Sequence, residues 1–175
     1  QLEAIHPFLD GNGRVGRLLI TLFLVERRIL PTPLLYLSAF FEATRREYYD
    51  RLMGISERRE WEAWLEYFLN GIARQSEDAL GRAERINQKL GQWRHIAAGS
   101  PSKIPLMIID MLAANPYLTI KKTAERLKVA FTTAQRAIER LEKLSIVAET
   151  SKAKRDRVYC AKTILSILEE PTKLT

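Results

Sequence analysis

The sequence predicts a mainly α-helical protein in two parts, a helical core and then a small basic domain of three helices closed by a β-hairpin. Three observations lead there. Apolar residues recur at helical spacing through most of the 175 residues. The run Gly99-Ser100-Pro101-Ser102 interrupts that pattern as a linker would. Charge also changes beside it. Residues 1–100 carry 14 Lys+Arg against 13 Asp+Glu, with Lys89 their only lysine, whereas residues 101–175 carry 14 against 8. We therefore expect a first domain over 1–98, a linker at 99–102 and a second domain over 103–175.

In the first domain, a helix is expected from Arg14 to about Ile29, after a glycine-rich loop and before Pro31 and Pro33. Leu35, Phe40, Phe41, Tyr48 and Leu52 belong to a second helical stretch. Trp61, Leu65, Phe68 and Ile72 step by four, three and four, the stripe of a third helix facing a core. Glu57 and Glu60 fall in its first turn, at the positive end of the helix dipole. A more polar fourth helix covers about Gln75 to Trp93.

In the second domain, Lys103 to Ala114 is helical and stops at Asn115-Pro116. Thr119 caps a short helix to about Lys128. Thr132 and Gln135 have capping-box spacing for a further helix that buries Ala134, Ala137, Ile138, Leu141 and Leu144. Ile146–Thr150 and Arg157–Ala161 read as strands flanking a basic tip, and Ile164 to Glu169 as a last helical turn or two. Three helices and a hairpin make the layout of a winged helix-turn-helix.

Composition excludes several classes. At 46% apolar and 28% charged, the chain can build real cores. Its longest strongly apolar run, Leu18 to Val25, is far short of the about 20 residues that a membrane helix needs. One cysteine, Cys160, allows neither an intrachain disulfide framework nor a cysteine-rich zinc module. No secretory leader pattern opens the sequence, so a reducing cytoplasm is the default expectation. The chain begins at Gln1, just before its most informative segment, and reads as the C-terminal part of something longer.

That segment is His6-Pro7-Phe8-Leu9-Asp10-Gly11-Asn12-Gly13-Arg14-Val15-Gly16-Arg17. It suits a nucleotide polyphosphate. Glycines let the backbone approach a phosphate closely, and the N–H groups of the following helix point at the anion. Arg14 and Arg17 share one helix face, and helical side chains lean toward the N-terminus, which aims both back at the loop. A guanidinium forks onto phosphate oxygens. Asp10 would repel phosphates unless a Mg²⁺ ion sat between them, since that hard cation takes carboxylate and phosphate oxygens together. Histidine is the side chain suited to taking a proton near neutral pH, so His6 can deprotonate a hydroxyl as it attacks phosphorus. Each part also has a plain structural reading: a turn at Gly-Asn-Gly, a packing anchor at Phe8, ion pairs from Arg14 and Arg17 to Asp10 or Glu3.

Taken together, His6 to Arg17 resembles the motif of the Fic family, H-P-F-x-[D/E]-G-N-G-R-x-x-R, at every specified position. Leu35-Tyr36-Leu37-Ser38, Tyr48-Tyr49-x-x-Leu52 and Trp61-x-x-Trp64 also resemble the helices that follow the motif, and a winged helix after the core is a known bacterial arrangement. The resemblance implies a Fic-type helical core, present as its C-terminal portion. It also implies protein AMPylation, the transfer of AMP from ATP to a Ser, Thr or Tyr hydroxyl of a target protein. By motif position, His6 would be the general base and Asp10 the Mg²⁺ ligand. Gly11, Asn12, Gly13 and Gly16 would belong to the anion-binding junction, with Arg14 and Arg17 on the phosphates. Tyr48 and Tyr49 would lie beside the nucleotide base, with helix packing as their other reading. The intact Gly-Asn-Gly-Arg stretch favours nucleotidyl over phosphoryl transfer. The family's upstream flap and several core helices are not in this sequence. Its inhibitory pattern [S/T]-x-x-x-E-[G/N], whose Glu pairs with the second motif arginine, is not matched either: Ser56 and Glu60 precede Trp61, and Ser166 and Glu170 precede Pro171. The inhibitor is therefore expected upstream or on a partner, and the isolated chain is expected to be poorly active.

In the second domain, Thr132, Thr133, Gln135, Arg136 and Arg140 would meet a DNA major groove, while Lys152, Lys154, Arg155 and Arg157 on the wing reach phosphates. A solvated face, or docking to a protein, accounts for the same charges, and Glu139 and Glu142 dilute them. The rival function is therefore a DNA-binding regulator whose first domain senses nucleotide or is inactive. Candidate partners are a target protein, DNA and a second copy of the chain, with no membrane.

Overall fold

The computed structural model describes residues 5–30, 36–151 and 156–171. Among these the protein is mainly α, with eight helices and one three-stranded sheet. Packing divides the chain into two compact units, residues 1–81 with 171–175 and residues 82–170.

In the first unit, α1 (Asn12–Glu26) starts at Gly11 and ends where Ile29 N–H and Leu30 N–H both donate to the Leu24 carbonyl. Arg28 takes the left-handed conformation in that turn. The helix therefore stops before the prolines, which lie outside the described residues. The expected second stretch is two helices, α2 (Leu37–Ala43) and α3 (Arg45–Arg58). Thr44 breaks it: its hydroxyl donates to the Phe40 carbonyl at 2.7 Å and also lies 2.7 Å from the Tyr67 hydroxyl. Glu57 closes α3 instead of opening the next helix, because Arg59 turns left-handed between them.

The third and fourth expected helices are one, α4 (Trp61–Ala97). Its inward stripe is also displaced from the expected one. Trp64, Tyr67, Phe68, Gly71 and Ile72 face the core of Leu24, Leu37, Phe40, Phe41 and Tyr48, whereas Trp61 and Leu65 are exposed. Apolar residues occupy both faces of this helix, so spacing alone could not select the buried one. Aromatic packing did. Phe40 lies 5.2 Å from Tyr67 and 5.8 Å from Phe41, ring centre to ring centre, and Gly71 lets the Phe40 ring press onto the α4 backbone.

By contacts, the second compact unit takes in the end of α4 from Arg82 onward. Arg82 donates to the carbonyls of Ile167, Leu168 and Glu170 at 2.8–3.0 Å, and Arg85 pairs with Glu170 at 2.8 Å. These bonds satisfy open carbonyls at the end of the last helix. Leu90, Trp93 and Ala97 then enter the second core. The linker itself is the turn between α4 and α5 (Ile104–Ala114).

Strand β1 (Tyr117–Thr119) and helix α6 (Ile120–Leu127) follow, with the Thr119 hydroxyl accepting from Lys122 N–H as expected of a cap. Helix α7 (Phe131–Lys143) starts two residues earlier than the capping-box spacing suggests. Ala130 supplies the first carbonyl, to Thr133 and Ala134, and Gln135 donates to Glu139 at 2.8 Å instead of reaching back. The buried face of Ala134, Ala137, Ile138 and Leu141 is the expected one. β2 (Ala148–Glu149) and β3 (Val158–Cys160) form the hairpin, and β3 lies between β2 and β1 in an antiparallel sheet. β1 was not foreseen, since three residues ending in a cap carry no strand signal. Helix α8 (Lys162–Glu169) completes the fold.

Cys160 is buried in β3 opposite Tyr117 and Ala148. Burial raises its thiol pKa, only partly offset by a hydrogen bond with Tyr117. The thiolate is the reactive species, so a raised pKa and burial act in the same direction. At pH 8 the native protein is expected to resist a disulfide reagent over minutes, and the same protein in guanidinium to react stoichiometrically. Fast labelling of the native state would contradict the burial.

Candidate functional site

The site lies where the loop Phe8–Gly11 enters α1. Gly11 takes the left-handed backbone conformation, φ 80°, and caps the helix. A residue with a Cβ is strained there. Asn12 is the brace: nearly fully buried, it accepts from Phe8 N–H at 2.9 Å and donates to the Phe8 carbonyl at 2.7 Å. Its side chain thus closes the loop on itself, and Asn12 faces a ligand only through its backbone. The first intrahelical bond is Val15 N–H to the Gly11 carbonyl. The N–H groups of Asn12, Gly13 and Arg14 are therefore at the open, positive end of α1.

Asp10 is 91% exposed at its side chain; it accepts from Gly11 N–H at 2.6 Å and pairs with Arg14 at 3.2 Å. Of the two structural readings for Arg14, the pair with Asp10 is present. Such an exposed pair is worth little, so a ligand offering each partner a stronger ion separates them easily. Arg17 pairs with no carboxylate among the described residues, and Glu3 lies outside them. His6 is exposed and left-handed, φ 53°, an uncommon backbone for a residue other than glycine. Gly16 sits inside α1, partly buried.

The two tyrosines part company. Tyr48 is buried against Phe41 and Trp64, so its ring is core. Tyr49 is half exposed, edge-on to Tyr48 with the Arg45 guanidinium 5.9 Å from its ring centre. Only Tyr49 has a ring open to a ligand.

These features, a left-handed glycine, a buried asparagine clamp and an arginine-flanked helix start, coincide with a family signature. Residues 1–24 match the Fic/DOC family. The matched residues include the segment just described. Residues 102–147 match the winged helix-turn-helix DNA-binding family, which covers α5 through α7. The chain is also 51% identical over 45 residues to the Probable protein adenylyltransferase aq_aa38 of Aquifex aeolicus (strain VF5). That match covers 23% of this chain and 14% of the relative.

In the winged-helix unit, Thr133, Arg136, Arg140 and Lys143 line a groove of about 490 Å³ with Ser100 and Ser102 of the turn before α5. The Arg140 Nε atom is buried there with no hydrogen-bond partner among the described residues. Thr132 is exposed, while Gln135 is held by Glu139. Arg157 is committed to Glu149 at 3.6 Å and to the Tyr159 ring. Lys152, Lys154 and Arg155 lie outside the described residues. The serines of the 99–102 turn were missed as site residues, because only tertiary packing places them opposite α7. No described helix is long and apolar enough to cross a membrane.

Proposed function

We propose that the chain carries the nucleotide-handling end of a protein adenylyltransferase. The target's Ser, Thr or Tyr hydroxyl oxygen attacks the α-phosphorus of ATP, its proton passes to His6, and the bond to pyrophosphate breaks. The observation that carries this reading is the open start of α1, held by Gly11 and Asn12 and flanked by Arg14 and Arg17. Backbone N–H groups there receive phosphate oxygens, and the arginines fork onto others. A developing negative charge on phosphorus-bound oxygens is stabilised by donors already in place. Tyr49 is the residue of the tyrosine pair that borders the base.

Asp10 would hold Mg²⁺. No group of three His, Cys, Asp or Glu that fits a metal occurs among the described residues. One exposed carboxylate suits an ion that takes its remaining ligands from phosphates and water. When bound, such an ion neutralises phosphate charge. ATP labelled at the α- or the γ-phosphate tests the proposal: label entering a target protein only from the α position supports it. The assay uses a longer protein that includes the segment upstream of Gln1, and there label entering from γ, or from neither, overturns it.

A second reading, a DNA-binding regulator, is favoured by the match over 102–147 and by the cluster of Arg136, Arg140 and Lys143 along the α7 groove. Duplex binding is then expected to weaken steeply with salt, and Arg140→Ala to reduce the salt slope by about 1. A salt-independent affinity would argue for protein docking instead.

A further inference from the structure

A cavity of about 290 Å³ lies in the winged-helix unit between the end of α5, β1, α6 and β3, away from the α7 groove. Met111, Leu118 and Val158 form its apolar wall. Lys122 and Arg126, one turn apart on α6, stand on the other side. No Asp or Glu lines it, and neither cation has an ion-pair partner among the described residues. Thr123, between them in sequence, also lines the cavity. It is fully buried, and its hydroxyl has no hydrogen-bond partner among the described residues. A buried hydroxyl is normally bonded, and one left without a partner is costly until an acceptor or donor reaches it. Three features therefore converge: a half-open pocket with one apolar wall, positive charge with no carboxylate beside it, and an unsatisfied polar atom.

We propose that this cavity binds a small organic anion, a carboxylate with a compact apolar body. The carboxylate takes Lys122 and Arg126, for which charge-assisted bonds are strong. The apolar body lies against Met111, Leu118 and Val158, in the pattern of ligand sites that are mostly apolar with a few placed polar groups. A polymer phosphate reaches the exposed cations but leaves the apolar wall empty. The site is independent of the Fic loop and of the proposed AMP transfer.

The test uses amide NMR shifts of the whole chain with benzoate as probe, benzyl alcohol as the uncharged body and inorganic phosphate as the bodiless charge. Benzoate is expected to move the Thr119, Lys122, Thr123 and Arg126 signals with a Kd in the low millimolar range, about 4 kcal/mol of binding. Benzyl alcohol and phosphate should each bind about tenfold more weakly, and the variant Lys122→Ala with Arg126→Ala should weaken benzoate about tenfold. Both residues are exposed, so this variant keeps the fold. The proposal is overturned if benzoate moves none of these signals at about 20 mM, well above a millimolar Kd. It is also overturned if phosphate matches benzoate, or if the double variant binds benzoate unchanged. A DNA duplex that moves the same signals and is not displaced by benzoate would assign the two cations to nucleic acid instead.

Discussion

Replacing His6 with Ala is expected to lower AMP transfer by about 10²–10⁴-fold, the usual contribution of a positioned general base. Nucleotide affinity should stay within about threefold, well under 1 kcal/mol. The reason is a division of labour. On the proposed function, the phosphates would be received by the start of α1 and by Arg14 and Arg17, whereas His6, which precedes the loop, would act on the incoming hydroxyl. Its left-handed backbone complicates the simplest variant, since alanine at φ 53° is itself strained. His6→Asn is the control. Asparagine accepts the left-handed conformation but cannot take a proton in this range. Both variants should lose label from α-labelled ATP to a similar degree, in whichever preparation of the protein transfers it. If the asparagine variant retained transfer, the histidine would be a backbone feature and not the base.

Phe40→Ala should destabilise the first unit by about 3–5 kcal/mol, the range for an aromatic removed from a closed core. Phe40 is 2% exposed and touches Phe41 and Tyr67. A second substitution makes the test specific. A Cβ on Gly71 would sit 2.6 Å from two Phe40 ring carbons, so Gly71→Ala alone must displace the ring or the helix. That overpacking is expected to cost about 1–3 kcal/mol. In the Phe40→Ala background the clash is gone, and alanine instead stabilises α4 by up to about 1 kcal/mol over glycine. The sign of the Gly71 effect should therefore reverse between backgrounds. Urea unfolding followed by circular dichroism reads all four corners of the cycle. Equal Gly71→Ala costs in both backgrounds would show that the ring does not press on that helix.

Much of this architecture was legible beforehand where local chemistry is decisive. Thr119 caps α6, the α7 face of Ala134, Ala137, Ile138 and Leu141 is buried, and helix α5 stops at Asn115. Each depends on a few neighbouring residues. The misreadings share a different cause. The stripe of α4 was misassigned because Trp61 and Leu65 repeat as regularly as Trp64 and Phe68. Arg82 and Arg85 reach about 85 residues along the chain to the end of α8, a contact that spacing in the sequence does not record.

The sequence by itself determined the class of fold, the winged-helix order of elements and the loop that matches the Fic/DOC family, whose information is packed into twelve consecutive residues from His6 to Arg17 and includes the Asn12 clamp on Phe8, four residues away. Tertiary structure alone decided that Tyr48 is core while Tyr49 is open, and that Lys122 and Arg126 border a pocket with an apolar wall. The physical reason is range. Caps, turns and phosphate loops are built by neighbours along the chain, whereas burial depends on which distant surfaces meet, and spacing does not record that.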